Sequence, residues 1–165
     1  MFSTISRIRI REEATRWLSR SELNVFVTVT LKRSLIDRYG SLRHMDGYEA
    51  ERTGRIVRDR VLKAITRTGA ADGLALPFYV FFETGSGNWH PHFHIVTSVP
   101  SGMTLDEYKE MFCAAVGRLH WVNEQIDFRT VTYLNDSDWQ GVCHYSLKTG
   151  IDAFLPEASH VPSIC

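Results

Sequence analysis

The residues with most chemistry in them stand together near the middle of the chain: Glu83, then His90-Pro91-His92-Phe93-His94-Ile95-Val96. Alternate side chains of a β-strand point to one side. His92 and His94 therefore project together, while Phe93 and Ile95 point the other way. Two imidazoles at i and i+2 can share a divalent cation, bind a phosphate, or remain two solvated strand histidines. Glu83 falls on the same face, one hairpin away. Two neutral imidazoles and a carboxylate with open positions form a normal catalytic metal shell. The plain alternative for Glu83 is a strand-end carboxylate in water. His90 shares the parity of His92 and His94 and is the alternative third ligand. It ranks second because it directly precedes Pro91, where the strand has not settled.

A second group of interest lies late in the chain. The Ser137-Asp138-Trp139-Gln140 start and the Gly150 stop predict a helix over 137–150. At 100° per residue, Trp139, Val142, Cys143, Ser146 and Leu147 share one arc, with Tyr145 and Lys148 opposite. Gly141 leaves the turn before Tyr145 uncrowded. A neighbouring ammonium favours a tyrosinate or a phosphate partner. Taken alone, Tyr-x-x-Lys is a weak motif that also describes a surface tyrosine beside a solvated lysine.

Something must hold these groups in place. The first clear strand spans 24–31, with Val25, Val27, Val29 and Leu31 on one face and Phe26, Thr28 and Thr30 on the other. A loop over 40–47 leads to a helix over 48–68, whose apolar residues Ile56, Val57, Val61, Ala64 and Ile65 recur at helical spacing, with Gly69 as C-cap. Its other side carries Arg52, Arg55, Arg58, Lys63 and Arg67. The next strand spans 77–84, followed by the turn Gly85-Ser86-Gly87-Asn88 and the histidine strand. Thr104-Leu105-Asp106-Glu107 is a capping box that starts a helix with core face Tyr108, Met111, Phe112, Ala115, Val116 and Leu119. A strand over 125–132 turns Ile126 and Phe128 inward.

This order is βαββαβ plus a C-terminal helix. It predicts an α+β, ferredoxin-like or RRM-like antiparallel sheet with helices on one face. By parity, the other face shows Phe26, Thr28, Thr30, Tyr79, Phe81, Glu83, His92 and His94. Its aromatic rings could stack on bases, or lie under the last helix.

A chain of 165 residues fits one domain: a core over 24–150, an N-terminal arm over 1–23 and an irregular tail over 151–165. No apolar run reaches the ~20 residues of a membrane span, and the first residues lack the apolar stretch of a secretory signal. Three scattered cysteines, Cys113, Cys143 and Cys165, exclude a disulfide framework or zinc ribbon and fit a reducing cytoplasm. The formal net charge is +0 but unevenly spread. Residues 1–67 hold 15 Lys+Arg against 8 Asp+Glu, and residues 68–165 hold 4 against 11. A basic half suits a polyanion and an acidic half suits a metal, or the two halves simply pair.

In order, Phe26-Val27-Thr28-Val29-Thr30, Pro91-His92-Phe93-His94-Ile95-Val96 and Tyr145-Ser146-Leu147-Lys148 resemble the three motifs of the HUH endonucleases. The single-tyrosine initiators (Rep proteins) of rolling-circle plasmids and single-stranded DNA viruses are the most similar. The resemblance implies a site-specific nickase and strand transferase acting on single-stranded DNA at an origin hairpin or nick site. Tyr145 matches the nucleophile that forms a 5′-phosphotyrosine. His92, His94 and Glu83 match the ligands of Mn²⁺ or Mg²⁺, and Lys148 matches the motif lysine. Phe26, Thr28, Thr30, Tyr79 and Phe81 would meet the DNA, with host or element replication proteins as partners. No G-x-x-x-x-G-K-[ST] occurs, so no helicase is expected, and a single catalytic-type tyrosine departs from two-tyrosine relatives.

Two other readings use the same residues. His90 to Val96 also fits the pattern of histidine-triad nucleotide hydrolases, with His92 as nucleophile, although that leaves Tyr145 and Lys148 unexplained. A non-catalytic RRM-like binder would use Phe26, Tyr79 and Phe81 as stacking platforms.

Overall fold

The computed structural model describes residues 23–84, 90–130 and 153–162. The expected N-terminal arm, the 85–88 turn, and the helix over 137–150 with Tyr145 and Lys148 lie outside the described residues.

Strand β1 (Val25–Leu31) runs through the sheet interior. Its alternating Val25, Val27, Val29 and Leu31 are fully buried, as period-2 patterning requires of a strand with one face on a core. β4 (Phe78–Glu83) and β5 (His92–Thr97) pair antiparallel, as do β5 with β1 and β1 with β6 (Val122–Thr130). The resulting order is β4-β5-β1-β6. This is an α+β fold with the strand order of a ferredoxin-like unit, in which the first and third core strands lie in the middle.

Two helices close one face. α1 (Gly47–Thr68) begins where Asp46 Oδ1 accepts from the Glu49 N–H, and it ends on Gly69 at φ +73°. α2 (Leu105–Val116) begins with the complete Thr104–Glu107 capping box. Val57, Val61 and Ile65 of α1 meet Tyr108, Phe112 and Val116 of α2 and the inward side chains of β1, β4 and β5 in one apolar cluster. Ile126 and Phe128 of β6 pack against its edge, as their parity implied.

Three features differ from the sequence reading. A short hairpin pairs β2 (Ser34–Ile36) with β3 (Leu42–His44), and β3 falls within the 40–47 stretch that the sequence reading took as a loop. All three β3 residues are exposed, so no buried face imposed alternation on the sequence. β6 starts earlier than expected, because a register shift past Val29 brings Val122 opposite Leu31. The tail is also more structured than "irregular" suggests. Phe154 and His160 bridge to Phe81 and Phe78 along the outer edge of β4, and Arg58 donates to the carbonyl oxygens of Glu157 (2.7 Å) and Ser159 (3.1 Å). Gly54 is required here: a Cβ on it would stand 2.8 Å from the Ala158 Cβ.

The register also gathers one end of the sheet. Glu83 stands opposite His92, Thr30 opposite His92, and Leu31 opposite Val122. The last residues of β4 and β1 thus meet the first residues of β5 and β6.

Candidate metal centre

Glu83 closes β4 and His92 opens β5, so their pairing brings a carboxylate beside an imidazole. His94 follows two residues later on the same face. The result is a triangle of donor atoms. His92 Nε2 lies 3.0 Å from Glu83 Oε2, His94 Nε2 lies 3.2 Å from the same oxygen, and the two Nε2 atoms are 3.1 Å apart. Donors about 2.1 Å from a shared ion stand about 3.0 Å apart when adjacent in an octahedral shell and about 3.4 Å apart in a tetrahedral one. The triangle therefore has the size of one face of a coordination shell.

Protonation supports the same conclusion. His92 Nδ1 lies 3.0 Å from the His90 carbonyl oxygen, which can only accept. Nδ1 is therefore a donor, and Nε2 is the nitrogen directed at Glu83 and His94. His94 Nδ1 lies 3.4 Å from Thr28 Oγ1, a hydroxyl able to accept in the same way. A metal-bound histidine is normally held like this, through its other ring nitrogen. Two imidazole lone pairs and a carboxylate oxygen within about 3 Å repel one another unless a cation, proton or metal, sits between them. The donor set therefore fits a metal ion, and these three residues form a group able to hold one.

Burial is graded across the centre. The His94 side chain is 3% exposed, against 13% for His92 and 18% for Glu83. His94 stacks on Phe26 at 5.1 Å and meets the His92 ring edge-on at 4.5 Å. The deep ligand is thus fixed by packing and the outer two face the surface.

Of the sequence candidates, Glu83, His92 and His94 come together. The His90 ring is not in the group; the residue contributes through its backbone carbonyl instead. Thr28, expected to meet DNA, faces His94. Thr30, opposite His92, is half-buried. Phe26, Tyr79 and Phe81 share the expected face but are buried, and Phe81 packs on Phe154 at 5.4 Å. The open aromatic platform is therefore corrected: a base could reach these rings only by displacing what covers them. Sequence reasoning missed the orienting parts, the His90 carbonyl and the Phe154 contact. Neither carries a residue-type signal.

In comparisons with known proteins, no family model, curated protein or solved structure matches the chain. Fold and site together define a class: an α+β, ferredoxin-like sheet with a two-histidine, one-carboxylate centre at one end. No helix among the described residues is long and apolar enough to cross a membrane.

Proposed function

We propose that this chain nicks and rejoins single-stranded DNA at this centre, with Tyr145 as the nucleophile. The observation that carries the reading is the convergence of Glu83, His92 and His94 on one point, as the sequence motifs led one to expect. A divalent metal bound there supplies charge neutralisation and polarises a phosphate oxygen.

The chain's own residues have the remaining tasks. The Tyr145 phenol oxygen attacks the scissile phosphorus and loses its proton. The bond from phosphorus to the 3′ oxygen breaks, and that oxygen leaves as a hydroxyl after taking up a proton. A 5′-phosphotyrosine remains, close in energy to the diester it replaces, so a second 3′-hydroxyl reverses the step. The Lys148 ammonium balances charge near the phenol or the phosphate. Tether length bears on the assignment. Phe154 bridges Phe81, and Phe81 stands opposite His94. Tyr145 precedes Phe154 by nine residues, a covalent span of at most about 30 Å, so chain length is compatible with the assignment.

The test is one denaturing gel. Single-stranded DNA pools and Mn²⁺ should give a covalent protein–DNA adduct that disappears with chelator and in Tyr145→Phe. An adduct that persists in Tyr145→Phe contradicts the assigned nucleophile. Nucleotide hydrolysis that survives Tyr145→Phe, with no adduct, favours the histidine-triad reading.

A further inference from the structure

A second feature lies at the same end of the sheet. A groove of about 810 Å³ runs between the β2–β3 hairpin, the first half of α1 and the turn before β6. Arg38, Tyr39, Arg43, Arg52, His120 and Trp121 are among its lining residues. We propose that this groove is a second, non-catalytic binding surface for single-stranded DNA. The choice of DNA rests on the function proposed above; the surface itself rests on the following observations.

Charge comes first. Residues 32–44 hold four cations, Lys32, Arg33, Arg38 and Arg43, against one carboxylate, Asp37. Asp37 is committed to the hairpin tip, where its Oδ1 accepts from the Tyr39 and Ser41 N–H groups, each at 2.9 Å. The tip thereby presents Tyr39, which is 76% exposed. The Arg38 guanidinium lies 4.7 Å over its ring. A guanidinium joined to an accessible ring is the pairing that binds a phosphate and stacks on a base.

The groove floor is built as well. Glu49 is a charged residue only 2% exposed. It pairs with Arg43 from the hairpin and, at 3.9 Å, with Arg52 from α1. Those two side chains remain 46% and 59% exposed. A guanidinium has five N–H donors and a carboxylate engages at most two or three. Glu49 therefore holds two guanidinium groups at the groove floor without saturating their donors. Apolar lining from Leu35, Ile36 and Ile56 completes a surface that suits bases as well as phosphates. A purely acidic or purely apolar partner would match only part of it.

The backbone ties this groove to the metal centre. The Leu31 N–H donates to the Pro91 carbonyl oxygen (2.7 Å), one residue before His92. The next N–H, of Lys32, donates to the Trp121 carbonyl oxygen (2.8 Å). Groove wall and metal ligand thus start from neighbouring residues of the sheet.

Fluorescence anisotropy with a labelled oligodeoxythymidylate of about 12 nucleotides tests the proposal, using the whole chain in chelator so that the metal contributes nothing. Tyr39→Ala should weaken binding at least about fivefold. Arg38→Ala should lower the slope of log affinity against log salt by about 0.7 for each phosphate that is no longer neutralised. Arg67→Ala, which removes an equal charge from the far end of α1, should change affinity less than twofold. Mn²⁺ binding by the Tyr39 and Arg38 variants should match the wild type. Wild-type affinities for the two groove variants, or tighter binding of an equal-length RNA, a duplex or a peptide, overturn the proposal. Groove-dependent DNA binding in chelator, together with a wild-type chain that takes up no Mn²⁺ when the metal is supplied separately, upholds the groove and removes the nicking reading.

Discussion

The two sides of β5 are buried almost equally and do opposite things. Phe93 and Ile95 are fully buried against the helices, and His94, on the other side, is 2% exposed. The apolar side is held mainly by area removed from water. The polar side is buried only because each ring nitrogen has a partner: His94 faces Thr28 and the Glu83–His92 pair, and His92 faces the His90 carbonyl. The difference teaches that burial alone does not mark a core. What distinguishes the faces is the chemistry of the buried groups. The helix-facing side is apolar, whereas the other side brings Glu83, His92 and His94 together as a group able to hold a metal ion.

Substitutions on the two sides should therefore separate stability from binding. Phe93→Ala should have the largest effect on the fold, costing about 3–5 kcal/mol in denaturant unfolding, while the folded fraction still binds Mn²⁺. His94→Ala should reverse the pattern, with Mn²⁺ affinity falling beyond measurement and stability by about 1–3 kcal/mol, because a packed ring and its hydrogen bonds are removed. Equal unfolding costs with metal binding retained would erase the distinction between the faces. Thr28→Val keeps the side-chain shape and removes the oxygen near His94 Nδ1. It should lower Mn²⁺ affinity about tenfold in calorimetry with little change in stability.

The smallest effect lies away from both faces. The Thr104 backbone N–H and hydroxyl hold the Glu107 carboxyl below its ordinary value of 4.5. A depressed folded-state value means that the cap's contribution is present above 4.5 and is lost as the pH falls below it. Thr104→Ala should cost about 1 kcal/mol at neutral pH, and this difference should shrink in unfolding curves measured near pH 3. A cost that does not change with pH would remove the carboxylate from the cap.

Much of this was legible in the sequence, for reasons that differ by element. β1 and β5 alternate because one face of each is core, and a stop signal for α1 at Gly69 and a start signal for α2 at Thr104 stand in the sequence. The candidate metal group was legible because strand parity and the hairpin place Glu83, His92 and His94 on one face. The β2–β3 hairpin was not, since an exposed strand bears no hydrophobic rhythm. The burial of Phe26, Tyr79 and Phe81 was not legible either. Parity fixes which face a ring is on and says nothing about what covers that face. The docking of 153–162 on β4 depends on a long-range approach of Gly54 to Ala158, and two small residues far apart in sequence announce nothing.

The most direct measurement is an Mn²⁺ titration followed by electron paramagnetic resonance, on the wild type and on Glu83→Gln, His92→Ala and His94→Ala. A shared centre predicts one bound ion per wild-type chain and loss of that ion in each variant, with all four proteins folded by circular dichroism. A wild type that binds no Mn²⁺, or variants that bind it as the wild type does, would contradict it.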